Sequence, residues 1–207
     1  MTAQGIELRF AKADEVSINE KEAYMYMGLR SKAPGEQVEE LFLSCLEEVK
    51  SAVSYKACFT EVSLEFPNEN EVFLGFGTVK SEKLYRHLQE CKTAYIFAAT
   101  AGTGIDRLIS RYKLLSPSKS LIIDAIGSAA VEGWCNRLNA DIVAERAAKS
   151  RFSPGYGDLS LTYQKEILEH LDAYRKIGIS LSDTLFMTPT KSVTAIIGIK
   201  KESDAGV

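Results

Sequence analysis

The sequence is poor in the residues that build common metal and redox sites. It contains two histidines and four cysteines among 207 residues, and the cysteines form no CxxC pair. This scarcity argues against histidine-centred hydrolase sites and against zinc sites. Cys45, Cys91 and Cys135 lie on or beside apolar helical patterns, where a thiol behaves as a small hydrophobic group. We therefore expect structural thiols and no metal site.

The sequence also lacks an excess of one charge and any long apolar run. Lys and Arg number 25 against 28 Asp and Glu, and the two signs are mixed along the chain. No basic stripe indicates a nucleic-acid or anionic-membrane partner. No apolar run approaches the roughly 18 residues of a membrane span, and no signal-peptide pattern opens the sequence. The average composition predicts a cytoplasmic protein with a single domain over residues 1–207.

Apolar periodicity switches between helix and strand along the chain. Helical spacing over 38–53 and from 121 to about 146 predicts two amphipathic helices. Alternating or continuous apolar segments predict strands at 55–66, 71–79, 94–99 and 192–199. The first two strands flank a Pro-Asn turn, which predicts a β-hairpin. The pattern favours the α+β class, with an antiparallel sheet flanked by helices.

A loop with two glycines, 99–107, lies between a predicted strand and a predicted helix. Gly102 and Gly104 could let a phosphate approach a helix N-terminus. The third glycine of a GxGxxG motif, however, would fall on Arg107. A nucleotide-binding oxidoreductase is therefore a less favoured alternative to a tight strand-to-helix turn.

The segment from Arg151 to Tyr156 (RFSPGY) predicts a rigid loop. Pro154 fixes its own φ, and Gly155 can adopt a positive φ that other residues avoid. The loop could hold Arg151 and Tyr156 on one side, where Arg pairs bidentately with a carboxylate and Tyr offers a ring and a hydroxyl. A small ligand with a carboxylate and an aromatic group would suit this pair. The alternative is a structural loop with Arg151 bonded to backbone carbonyls.

The motifs that follow this loop resemble those of a known family. Arg151-x-x-x-Gly155-Tyr156 precedes a predicted helix, then Gly178-Ile-Ser-Leu-Ser-Asp-Thr and Met187-Thr-Pro-x-x-Ser-Val. Their order and spacing resemble the activation domain of vitamin B12-dependent methionine synthase over about 151–199. Upstream, the segment from Asp124 to Glu132 is similar to the alanine-rich helix of that family. The first 120 residues resemble stand-alone members.

The resemblance implies a methionine synthase activation domain-like fold and a ligand, S-adenosylmethionine (AdoMet). A helical and hairpin part would span about 1–120, and an AdoMet-binding part about 121–200. Arg151 would pair with the AdoMet carboxylate, and Glu132 could meet its amino or sulfonium charge. The implied cofactor-binding set is Arg151, Pro154, Gly155, Tyr156, Glu132 and the strand edge at Ile197 and Gly198. No catalytic residue is expected.

The implied function is reactivation of a cobalamin enzyme in trans. The chain would support reductive methylation of cob(II)alamin on a separate methionine synthase or other corrinoid protein, with a flavodoxin-like electron donor. It has no DxHxxG cobalamin signature, so cobalamin would belong to the partner, and the isolated protein would not be active alone. Ile197 and Gly198 stand where the family has aromatic residues, so adenine contacts could differ. A non-catalytic corrinoid-protein assembly or binding factor that has lost AdoMet is the main alternative.

Overall fold

The computed structural model describes residues 5–29 and 34–201, in which helices and strands are interspersed along the chain. The α-helices of these ranges are α1 (Glu20–Tyr26), α2 (Glu36–Ala52), α3 (Glu82–Leu88), α4 (Thr103–Leu115), α5 (Pro117–Val143), α6 (Tyr163–His170) and α7 (Ala173–Ile177). The strands are β1 (Glu7–Ala11), β2 (Tyr55–Ser63), β3 (Glu65–Asn68), β4 (Glu71–Phe73), β5 (Thr78–Lys80), β6 (Cys91–Thr100), β7 (Ser180–Leu181), β8 (Met187–Thr188) and β9 (Ser192–Lys200). A short 3-10 helix, Ala13–Glu15, precedes α1.

Four strands form the central sheet in the order β1-β2-β6-β9, and every neighbouring pair is antiparallel. In β6, Ala98 lies opposite Cys58 of β2 on one side and Thr194 of β9 on the other. The sheet therefore joins strands from both the first 120 residues and the C-terminal part. The predicted antiparallel sheet is confirmed.

Helices cover both faces of this sheet. On one face α1, α2, α4 and α5 enclose a core in which Trp134 is buried, and its Nε1 donates a hydrogen bond to the Lys56 carbonyl oxygen at 3.1 Å. On the other face α3, α6 and α7 pack with the small sheet β3-β4-β5 around Leu84 and Ile96. Alternate residues of β2, β6 and β9 face opposite cores, as a pleated strand requires. The α+β class with flanking helices is confirmed.

The predicted hairpin between 55–66 and 71–79 forms only at its turn end, where Glu65 pairs with Phe73. Strand β2 ends at Ser63 and pairs with β1 and β6. Its neighbouring residues Cys58 and Phe59 are buried on opposite faces, so β2 suits the centre of a covered sheet. The hairpin that does form joins β3 to β4, and β5 completes that small sheet.

Helix α5 is the long helix predicted from 121 to about 146. It begins earlier, at Pro117, because proline fits the first turn, where the missing N–H costs nothing. It ends at Val143, and the next residue, Ala144, has a φ of 50°. Its buried positions include the predicted Ala129, Ala130, Trp134, Leu138 and Ile142.

The four cysteines are free and buried, as expected of structural thiols. Burial raises the pKa of the Cys58 thiol to about 12, so this thiol is protonated at neutral pH. Within residues 5–29 and 34–201, no helix is both long and apolar enough to cross a membrane.

Candidate functional site

The structure brings Arg151 and Glu132 together, although 19 residues separate them in sequence. Arg151 Nη2 donates to Glu132 Oε2 at 2.8 Å and to Asn136 Oδ1 at 3.0 Å. Glu132 and Asn136 lie one turn apart on α5, so the loop that carries Arg151 is fixed against this helix. The two charged side chains are 23% and 32% exposed. The ion pair is therefore half-buried but open to solvent.

The second terminal nitrogen of Arg151, Nη1, is buried and has no hydrogen-bond partner among the described residues. An unsatisfied donor on a charged group is costly, so this guanidinium retains capacity to bind an acceptor. The neighbouring Cys135 thiol is not an anionic acceptor. Burial raises its pKa to about 12, against a smaller lowering by Arg151.

The loop after Arg151 is held along the outer edge of β9. Phe152 and Ile196 exchange both backbone hydrogen bonds at 2.9 Å. Gly155 has a φ of +87°, as its place in the loop predicts, and its N–H donates to the Leu159 carbonyl oxygen at 2.8 Å. Pro154 is buried, whereas Gly155 and Tyr156 are exposed. The loop therefore turns its tip towards solvent while its base stays fixed.

Tyr156 continues a row of aromatic rings at this tip. Its ring packs edge-to-face on Phe152 at 5.3 Å, and Phe152 lies 5.3 Å from the His87 ring. His87 Nε2 is 2.8 Å from the Ser150 carbonyl oxygen. Tyr156 itself is 67% exposed, so its ring is available to a ligand.

Asp158 fixes the far end of the loop, and the sequence analysis missed it. Its carboxylate accepts hydrogen bonds from Ser81 Oγ at 2.5 Å and from the backbone N–H groups of Glu82 at 2.8 Å and Lys83 at 3.2 Å. These groups form the N-terminus of α3, where a negative charge is favourable. The only available signal was an Asp two residues after Tyr156.

Ile197 and Gly198 have little to offer a ligand directly. Ile197 is fully buried in the core on the α5 side. Gly198 faces the other side, where an added Cβ would lie 2.6 Å from Cys91 Sγ and Leu88 Cδ2. The edge of β9 is covered here, since the Gly198 carbonyl oxygen accepts a hydrogen bond from Lys149 N–H at 2.8 Å.

Lys191 provides a second cation, which lies against α5 towards the N-terminal end of that helix. Lys191 Nζ donates to Asp124 Oδ1 at 2.8 Å and to Ser128 Oγ at 3.0 Å. The Lys191 side chain is 10% exposed, whereas that of Asp124 is 54% exposed. The sequence analysis named Asp124 within a family motif and missed Lys191.

The glycine loop at 99–107 serves packing. A Cβ at Gly104 would lie 2.0 Å from the Ala52 carbonyl oxygen, and one at Gly102 would lie 3.0 Å from Ser54. Both glycines therefore allow the end of α2 to pass close to the start of α4. This explains them without a phosphate, and the surrounding sheet is antiparallel rather than a βαβ unit.

A cavity of about 590 Å³ lies elsewhere, between α6, α7 and the segment around β7. Its walls include Leu168, Asp172, Tyr174 and Leu185, and none of the predicted site residues lines it. In the described ranges, no group of three or more His, Cys, Asp or Glu side chains is placed to hold a metal ion.

These observations define an α+β domain whose half-buried Arg–Glu pair lies beside an exposed glycine-tyrosine loop tip. The chain belongs to the family described as vitamin B12 dependent methionine synthase, activation domain, which matches residues 87–205, more than half of the sequence. Its fold is similar to that of a solved structure described as the MetH reactivation domain bound to AdoHcy. That comparison has a TM-score of 0.74 and 14% sequence identity, and covers 99% of this chain and 81% of the other. No curated protein matches the chain.

Proposed function

We propose that this chain is an AdoMet-binding reactivation module that acts in trans. It would support reductive methylation of cob(II)alamin on a separate cobalamin-dependent methionine synthase, or another corrinoid protein, and so serve methionine biosynthesis. The observation that carries the proposal is the pairing of Arg151 with Glu132 beside the Gly155–Tyr156 loop tip. Family membership and a fold shared with a domain described as bound to AdoHcy support it.

The two charges of the pair complement the amino-acid end of AdoMet. That end carries a carboxylate, which suits the planar donor set of Arg151, and an ammonium group, which suits the Glu132 carboxylate. In the structure the two side chains pair with each other at 2.8 Å. A bound zwitterion would replace this single ion pair by two. The unpaired Nη1 gives Arg151 a further donor for that exchange.

The loop tip supplies the surface for the rest of the ligand. Tyr156 presents an exposed ring and hydroxyl, and Gly155 lets the chain turn so that this ring projects from the loop. Pro154 is buried and keeps the base of the loop rigid. In this proposal Ile197 and Gly198 shape the strand beneath the loop and make no polar contact with the ligand.

The partner would hold the cobalamin, whose cobalt supplies the methyl-transfer chemistry. The reaction takes one electron from a flavodoxin-like donor and the methyl group from AdoMet, and it releases S-adenosylhomocysteine. The residues of this chain bind AdoMet and orient its methyl group towards the partner. We assign no catalytic residue to the chain.

Calorimetric titration of AdoMet tests the binding step. Loss of a charge-assisted contact costs about 1.5–3 kcal/mol, so Arg151→Ala should weaken binding about tenfold or more. Arg151→Lys should not restore it, because an ammonium group cannot make the bidentate contact. Arg175→Ala, at an exposed arginine of α7, is the control. Unchanged affinity in both Arg151 variants would remove this residue from the site.

A spectroscopic assay tests the reactivation step. A partner synthase without its own activation domain is poised as cob(II)alamin and supplied with AdoMet and an electron donor. Methylcobalamin should form only when this protein is added. An equal rate without the protein would refute the reactivation role. Absence of AdoMet binding by the wild-type protein would favour the non-catalytic corrinoid-binding factor.

A further inference from the structure

Polar side chains follow one another at four-residue intervals along α5: Asp124, Ser128, Glu132 and Asn136. Residues at this spacing lie on the same side of a helix. Arg151 binds the last two, and Lys191 binds the first two. Two fixed cations, Arg151 and Lys191, therefore lie against a single side of α5. Asp124 and Glu132 are eight residues apart, which corresponds to about 12 Å along the helix.

Lys191 is fixed at both its backbone and its side chain. Its carbonyl oxygen accepts hydrogen bonds from Ala101 N–H at 2.9 Å and from Thr100 Oγ1 at 3.2 Å. Its side chain passes over Gly127, where an added Cβ would lie 3.1 Å from Lys191 Cε. The ammonium group is therefore held at Asp124 with little freedom to move.

Asp124 is held at one carboxylate oxygen, and its side chain is largely exposed. Its Oδ1 accepts the hydrogen bond from Lys191, and no described residue donates a hydrogen bond to Oδ2. More than half of its side chain is exposed. The lysine thus fixes the orientation of a carboxylate that retains an oxygen free to accept hydrogen bonds from a ligand.

We propose that Asp124 accepts hydrogen bonds from the ribose hydroxyls of AdoMet, and that Lys191 is the positioning residue that orients it. The inference rests on the proposed function. In extended AdoMet, about seven covalent bonds separate the carboxylate carbon from the ribose hydroxyl-bearing carbons, a span of roughly 9 Å. With the amino-acid end at Arg151 and Glu132, that span brings the ribose within reach of Asp124. A carboxylate suits a diol because both hydroxyls can donate to it.

The simpler interpretation is that Lys191 and Asp124 form an ion pair that only holds the start of β9 on α5. Ligand discrimination separates the two interpretations. Calorimetry compares S-adenosylhomocysteine with its 2′,3′-dideoxy analogue on the wild-type protein, Asp124→Asn, Lys191→Met and the control Asp141→Asn. Asp141 is an aspartate of the same helix that pairs with Arg137 at 3.6 Å, away from Lys191.

The wild-type protein should bind S-adenosylhomocysteine about tenfold or more tightly than the dideoxy analogue. The analogue lacks the hydroxyls that would donate hydrogen bonds to the charged Asp124 carboxylate. Asp124→Asn should bind both compounds about equally, Lys191→Met should lower the preference, and Asp141→Asn should keep it.

Equal wild-type affinities, or a preference that survives both Asp124→Asn and Lys191→Met, would overturn the inference while the proposed function stands. If the wild-type protein bound neither compound, both would be overturned. Should Asp124→Asn fail to fold, the wild-type ratio and Lys191→Met still decide.

Discussion

Asp158 accepts a 2.5 Å hydrogen bond from Ser81, 77 residues earlier in the chain. Ser81 is the N-cap of α3, and its own Oγ accepts a hydrogen bond from Leu84 N–H at 3.0 Å. The loop that presents Tyr156 is therefore tied to a helix terminus that the sequence places in another part of the chain. This attachment lets an exposed loop keep a fixed shape.

The bond to Ser81 makes stability depend on pH. The Ser81 hydroxyl, followed by the N–H groups of Glu82 and Lys83, lowers the pKa of Asp158 below its ordinary value of 3.8. Because the pKa of Asp158 is lower in the folded state, its ionised carboxylate stabilises the fold. This stabilisation is complete above pH 3.8 and is lost as the pH falls through the folded-state pKa.

Asp158→Asn should therefore have a lower melting temperature than the wild-type protein at neutral pH, and the difference should shrink in acid. Thermal unfolding followed by circular dichroism on both sides of pH 3.8 measures this. Asp14→Asn, in the exposed 3-10 helix, is the control. A difference that does not change with pH would contradict the assignment.

Tyr156→Ala should affect ligand binding more than folding. The ring is 67% exposed, so its removal should leave the melting temperature nearly unchanged. Aromatic contacts contribute about 0.5–1.5 kcal/mol, so AdoMet affinity should fall roughly two- to tenfold. Tyr174→Ala, at a similarly exposed tyrosine of α7, should leave affinity unchanged. Equal losses in the two variants would mean that the Tyr156 ring is not specific to the site.

Gly104→Ala tests whether the glycine loop exists for packing. The added methyl group would lie 2.0 Å from the Ala52 carbonyl oxygen, so the end of α2 must move. Overpacking of this kind costs about 1–3 kcal/mol of unfolding free energy. Gly77→Ala meets no atom within 4 Å and is the matched control. Urea unfolding measures both, and a Gly104→Ala protein as stable as Gly77→Ala would contradict the packing explanation.

The elements that the sequence predicted well are those with strong local patterns. Apolar residues at helical spacing located α5, and continuous apolar runs located β6 and β9. Strand pairing was harder, because periodicity shows that 55–66 is extended but not which strand it joins. Cys58 and Phe59 are buried on opposite faces of the sheet, which identifies β2 as a central strand. That burial depends on the helices that cover the sheet, so the sequence of the strand alone does not show it.

The candidate site shows the same limit. Motif resemblance placed Arg151 and Glu132 in one site, and the structure brings them into contact. The anchors Asp158 and Lys191 escaped notice because their partners lie 77 and 67 residues away in sequence. Only the tertiary fold brings such polar groups together, and no local pattern predicts them.

Glu132→Gln should separate the recognition of the two charges of the ligand. The variant keeps the size of the side chain but removes the negative charge that we assign to the ligand ammonium group. Arg151 keeps Asn136 as a partner, at 3.0 Å, and stays available to the ligand carboxylate.

S-adenosylhomocysteine and its N-acetyl analogue, which lacks the ammonium charge, are titrated into each protein. The wild-type protein should prefer the free amine by about tenfold, the size expected for a hydrogen bond between charged groups. Glu132→Gln should lose most of that preference while it still binds the N-acetyl compound, and Glu40→Gln, on the exposed side of α2, should keep it. If Glu132→Gln retained the full preference, the ammonium group would have to be recognised elsewhere, and Glu132 would be only the resting partner of Arg151.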